Sequence, residues 1–203
     1  GEAVRPARAR RRRGFWLDLF ACFLIPAYTL LFAGSVEWLG TNFSVIAVTG
    51  KDHYWGFVYW GALAGGYFAV MLTKLALILP RLWQRSAVCL LALLACLALG
   101  YALAIPYLPD DFPGFASLHV VLAAGACVLL MLALLLVLLS LYRDSPENYR
   151  LLLVRWGLIV GGSGLLFLLA GMVSSALEVF FTITAALLTR RIWLTVGERQ
   201  EKF

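Results

Sequence analysis

The stretch LLLVRWGLIVGGSGLLFLLAGMVSSALEVFFTITAALLTRRIWL (residues 151–194) decides the fold. It is apolar almost throughout and too long for one crossing, because about 20 helical residues span a hydrocarbon core of about 30 Å. Gly171 and the pair Ser174-Ser175 carry its only turn chemistry. The stretch therefore reads as two spans joined by a tight hairpin, Leu151 to about Gly171 and about Ser174 to Leu194. Charge supports the division. A single crossing would carry Arg190, Arg191, Arg199 and Lys202 to the side away from most other basic residues.

Four further spans precede this pair: Phe15 to Ser35, Tyr54 to Leu79 (ended by Pro80), Ser86 to Leu108, and Leu118 to Tyr142. The chain has 203 residues, 63% of them hydrophobic and 14% charged. Its mean hydropathy is +0.88. A soluble domain carries roughly 25% charge, so this composition excludes a soluble globular domain, a disordered chain and a disulfide-stapled secreted module. The fold class is all-α, a polytopic transmembrane bundle of six spans with both termini inside. One six-helix domain covers residues 15–194, between a basic cytoplasmic arm at 1–14 and a cytoplasmic tail at 195–203. The first apolar stretch is long enough to span and ends in no small-residue cleavage site, so it reads as a span and not a signal peptide.

Orientation follows from charge. All seventeen Lys/Arg except Lys51 fall in inner loops, inner helix ends or the tails when the N-terminus is inside. Glu37, Asp52, Asp110, Asp111 and Glu178 map to the outer half. The arginine arm (Arg5, Arg8 and Arg10 to Arg13) lies directly before a hydrophobic span. It reads as a topology anchor against acidic lipid, not as a nucleic-acid arm. The plasma (cytoplasmic) membrane is the expected location.

The outer side carries the longer segments. Residues 36–53 are half apolar, so this loop lies on the membrane surface or folds back over the bundle. The segment LPDDFPGFASL (residues 108–118) has two prolines and a glycine that make a rigid turn. Pro26 should kink the first span. Tyr54, Trp55, Phe57, Tyr59 and Trp60 at the outer end of the second span read as an interfacial aromatic belt. Cys22, Cys89, Cys96 and Cys127 all lie in spans without ligand spacing and read as packing residues.

Chemistry must come from polar groups where lipid penalises them, since an ionisable residue at mid-membrane costs about 2.5–3.5 kcal/mol on insertion scales. Glu178, one turn into span six, and His119, at the outer start of span four, sit at similar depth. They could face one cavity and hold a polar ligand head, a proton or a metal; equally, they could lock two helices together. Asp110, Asp111, Asp52, His53 and Asn42 lie near the same level. The ligand-binding set is therefore His119, Glu178, Asp111, Asp110 and Asn42. A divalent metal, the one cofactor in view, would take His119, His53, Asp52 and Glu178, although their spacing matches no known ligand motif. On the inner side, Asp18 pairs with Arg155, while Lys74 snorkels to the interface. Asn42-Phe43-Ser44 is a glycosylation sequon.

Gly61-x-x-x-Gly65 and Gly157-x-x-x-Gly161 are small-residue faces that allow close helix contact, within the chain or with a second copy or partner membrane subunit. Phosphate loops, GxGxxG and GxSxG elbows are absent from the sequence.

The Asn42-x-Ser44 stretch after span one, Asp111-Phe112-Pro113 followed by His119 opening span four, and Glu178 in the last span resemble small six-span membrane families of unknown function, among them bacterial relatives of the DRAM-like proteins. The resemblance covers most of the chain in layout. It implies a lipid-associated membrane protein without an established reaction. The functional expectation is an outward-facing polar pocket that binds or transports a lipid or small amphipathic ligand, as a substrate-binding subunit of a vitamin importer would. The alternatives are a metal-dependent membrane-embedded hydrolase or transferase using His119, Glu178 and the outer-loop Asp and His residues, and a structural assembly partner.

Overall fold

The computed structural model describes residues 14–35, 37–50 and 52–202. The arginine arm and Lys51 lie outside the described residues. Among those residues, six helices are long and apolar enough to cross a membrane. We number all helices in chain order: α1 (Gly14–Ala33), the short α2 (Phe43–Val48), α3 (His53–Leu77), α4 (Leu82–Ala104), α5 (Pro113–Asp144), α6 (Pro146–Ala170) and α7 (Ser175–Gln200). The protein is an all-α multi-pass membrane protein.

The hairpin that decides the span count forms where turn chemistry allows it. Gly171 follows α6 in the left-handed conformation (φ 70°), and its N–H returns to the Phe167 carbonyl. Such a φ is readily reached only without a Cβ. Ser174 then caps α7, its side chain accepting from the Leu177 N–H.

Several helices extend beyond the apolar runs that announce them. Pro113 and Pro146 occupy first-turn positions of α5 and α6, where a missing N–H costs nothing, so both helices begin about five residues before the apolar stretch. The last helix runs on to Gln200, taking most of the expected 195–203 tail into α7. In α1, Pro26 is accommodated by a π-helical stretch, Leu19–Leu24. Ile25 N–H bonds the Phe20 carbonyl, five residues back, and this wider register relieves the crowding that a proline ring imposes on the preceding turn.

Neighbours in sequence pack as neighbours in space. The pairs α3–α4, α4–α5, α5–α6 and α6–α7 are in contact, and α1 closes the bundle against α7 and α3. The main core holds Leu72, Leu75, Leu134, Leu138, Tyr149 and Ile192, all nearly inaccessible. Lipid is as apolar as leucine, so interhelical order inside a bilayer rests on close packing and hydrogen bonds. Tyr67 Oη donates to the Ala186 carbonyl (2.8 Å), Trp156 Nε1 to Met131 (2.9 Å) and Tyr54 Oη to Leu103 (2.9 Å), linking α3 to α7, α6 to α5 and α3 to α4.

The two glycine faces part company. Gly61 and Gly65 lie under the side chains of Leu103 and Leu99, so this face is used inside the chain, between α3 and α4. Nothing lies within 4 Å of a Cβ built at Gly157 or Gly161, which leaves the α6 face open. The cysteines are free thiols. Cys22 and Cys89 are exposed on the bundle surface instead of packed inside it, and Cys127 lines a small cavity.

Candidate functional site

Two regions at opposite ends of the bundle hold the unusual chemistry. The loop end joins α1 to α3 and α6 to α7. The termini end carries the start of α1 and the close of α7, which the Asp18–Arg190 bond brings together.

At the loop end, residues 37–50 fold back over the bundle. Asn42 is extended, and its Oδ1 accepts from the Val45 N–H, which starts α2. Phe43, fully buried, inserts against Phe32 (ring centroids 5.0 Å apart) and Trp60 (4.9 Å). Phe57 is buried in the same cluster, and Trp60 Nε1 donates to Thr29 Oγ1 (3.1 Å). The aromatic belt read from sequence therefore divides: Trp55 and Tyr59 face outward, while Phe57 and Trp60 form the floor beneath Phe43.

Both polar candidates serve this inserted segment. Glu178 Oε2 accepts from the Phe43 N–H at 2.8 Å. Ser44 Oγ lies 2.6 Å from His119 Nε2, and His119 Nδ1 lies 2.8 Å from the Ile105 carbonyl oxygen. A carbonyl only accepts, so Nδ1 carries a proton; in the neutral ring Nε2 then accepts from the Ser44 hydroxyl. The exchange with α7 runs both ways. The N–H groups of Ser175 and Ala176, left without intrahelical partners at the start of α7, donate to the carbonyls of Thr41 (2.7 Å) and Trp38 (3.0 Å). Glu178 and His119 thus meet through consecutive residues, Phe43 and Ser44, and not through each other.

The residues expected to share one polar pocket are divided between the surface and the buried segment. Asp52, His53, Asp110 and Asp111 are exposed, whereas His119 is buried with both ring nitrogens engaged. Among the described residues, no three His, Cys, Asp or Glu side chains converge as metal ligands, and His119, His53, Asp52 and Glu178 are not brought together as the expected set. Asn42 serves as a helix cap. Beneath the inserted segment, a cavity of about 80 Å³ lies among Trp60, Phe68, Cys96, Leu99, Cys127 and Thr182. Its lining is almost wholly apolar, which gives water few partners.

The termini end is built differently. Asp18 pairs with Arg190 (2.8 Å), not with the expected Arg155. The reason is packing: α1 lies against α7 and α3, while α6, which carries Arg155, lies against α5 and α7. Beside this pair, a groove of about 830 Å³ runs between α1, α3 and α7. Trp16 and Phe20 wall one side, Leu63, Gly66 and Val70 form its floor, and Lys74 and Trp193 stand at its termini end. The Lys74 ammonium sits 5.8 Å from the centre of the Trp193 ring, a cation–π distance. A Cβ at Gly66 would meet nothing within 4 Å, so glycine there deepens the groove.

Sequence reasoning found Asn42, His119, Glu178 and Asp18. It missed Phe43 and Ser44, although Asn42 before an apolar run is a helix-start signal. It also missed Arg190, Trp16, Gly66 and Trp193, which become a site only by the contact of three helices distant in sequence. Comparison with family models finds no match for this chain, and comparisons with curated proteins and with solved structures find none.

Proposed function

We propose that this membrane protein binds a lipid or small amphipathic molecule in the groove between α1, α3 and α7, with the termini end in the cytoplasm of a plasma-membrane protein. The observation that carries this reading is the groove itself, about 830 Å³, mostly apolar, with a cation at one end. From Ala62 to Lys74 it runs along about 18 Å of helix, close to the roughly 15 Å of hydrocarbon in one leaflet. A site of that length and lining accepts an acyl chain and leaves the polar head at the interface. Binding is the core of the proposal, and movement of the ligand across the membrane would need a partner or an ion gradient. The open Gly157/Gly161 face of α6 is where such a partner, or a second copy, would dock.

The test is lipid analysis of protein purified in mild detergent. Near-stoichiometric lipid should accompany the wild type and be lost from Gly66→Leu, whose side chain fills the groove from an open position. Equal lipid in both would end the proposal.

A second reading rests on the 2.6 Å approach of Ser44 Oγ to His119 Nε2. A hydroxyl beside an oriented imidazole is the arrangement of an acyl-transfer nucleophile. Covalent labelling of Ser44 by a fluorophosphonate probe, lost in His119→Ala, would move the protein to that class; an unlabelled Ser44 leaves His119 as a clamp.

A further inference from the structure

The termini end of the groove has a charge character that its apolar walls do not require. Among the described residues, Lys74 is the only charged side chain in the lining, which includes no carboxylate. The nearby Asp18 carboxylate is paired with Arg190. Among the described residues, no carboxylate lines the groove beside Lys74, whose ammonium is held near the Trp193 ring. Trp16 on the opposite wall is 58% exposed, so two indoles flank the mouth at the depth where indole rings favour the headgroup region. In the sequence, Arg10 to Arg13 directly precede Gly14, two residues before Trp16.

An apolar slot of one leaflet's depth ending in a lysine between two indoles matches one kind of molecule. We infer that the groove is a site for an anionic glycerophospholipid of the leaflet at the termini end, with an acyl chain over Leu63, Gly66 and Val70 and its phosphate at Lys74 Nζ. This rests on the lipid-binding reading above and adds the headgroup to it. A lysine near a membrane surface contributes roughly 1 kcal/mol of attraction to acidic lipid, about a fivefold preference. In the groove the charge is fixed relative to the chain-binding walls, so that preference becomes a property of one site.

The experiment uses the full chain in nanodiscs of equal phosphatidylglycerol and phosphatidylcholine, released for native mass spectrometry. Bound phosphatidylglycerol should exceed phosphatidylcholine by about fivefold in the wild type. Lys74→Gln should bring the ratio near one while total bound lipid stays unchanged, and Lys74→Arg should keep the preference. Lys74 is exposed, so these variants test binding and not folding. A wild-type ratio near one, or a preference that survives Lys74→Gln, overturns the headgroup assignment, the latter by giving the selectivity to the arginine arm. Total lipid unchanged in Gly66→Leu overturns the groove reading as well, so the two failures are distinguishable.

Discussion

The two ends of this bundle solve the problem of polar groups in a membrane in opposite ways. At the loop end, Glu178, His119, Ser44 and Asn42 are spent on the backbone and side chains of one inserted segment, with Phe43 as its apolar pin. At the termini end, Asp18 and Arg190 meet while 54% and 28% exposed, and Lys74 faces an open groove. A buried donor without an acceptor forfeits its full desolvation energy, so the loop end must satisfy its groups internally. Groups at an interface can reach water or headgroups, so a charge such as Lys74 can stand there exposed. The difference separates a closed end from an open groove, although both ends show ionisable residues in apolar sequence.

Substitutions at both ends test that contrast, beginning with the largest expected effect. Phe43→Ala should cost about 3–5 kcal/mol, the range for removing a fully buried phenylalanine, and should lower the thermal midpoint in detergent more than any change at the termini end. A loss under about 1 kcal/mol would mean that the inserted segment is not part of the cooperative fold. Glu178→Ala should cost about 1–3 kcal/mol by leaving the Phe43 N–H without its acceptor. Glu178→Gln should recover most of this, because the amide oxygen still accepts; equal losses in both would show that the charge, not the acceptor, is what matters.

At the other end, Asp18→Ala and Arg190→Ala should each cost no more than about 1 kcal/mol, as for partly exposed pairs. A double-mutant cycle should give coupling for Asp18 with Arg190 and none for Asp18 with Arg155. Coupling to Arg155 would redraw the packing of α1. Gly66→Leu should leave the melting midpoint near wild type, since it grows into open space. By contrast, Gly61→Leu, toward the loop end beneath Leu103, should lose about 1–3 kcal/mol by overpacking.

Much of the architecture was legible in the sequence because membrane helices announce themselves locally. Hydropathy gave six spans, Gly171 and Ser174 gave the last hairpin, and Asn42, His119 and Glu178 stood out as polar groups near one depth. The starts of α4, α5 and α6 were less legible, because their first turns lie outside the apolar run: α4 begins just after Arg81, and α5 and α6 open on Pro113 and Pro146. The contacts of the site were not legible, because depth along a span says nothing about what a side chain touches.

By itself, then, the sequence determined that this is an all-α membrane bundle, how many times it crosses, and which polar residues lie in apolar surroundings. Each of these depends on near neighbours in the chain, through helix length, turn residues and transfer energy. Only the tertiary structure decided that Glu178 and His119 hold Phe43 and Ser44, that Asp18 chooses Arg190, and that Trp16, Gly66, Lys74 and Trp193 share one groove. Those facts depend on which helix lies beside which, and that order comes from the close fit of α1 against α3 and α7, a property that no single stretch of the chain encodes.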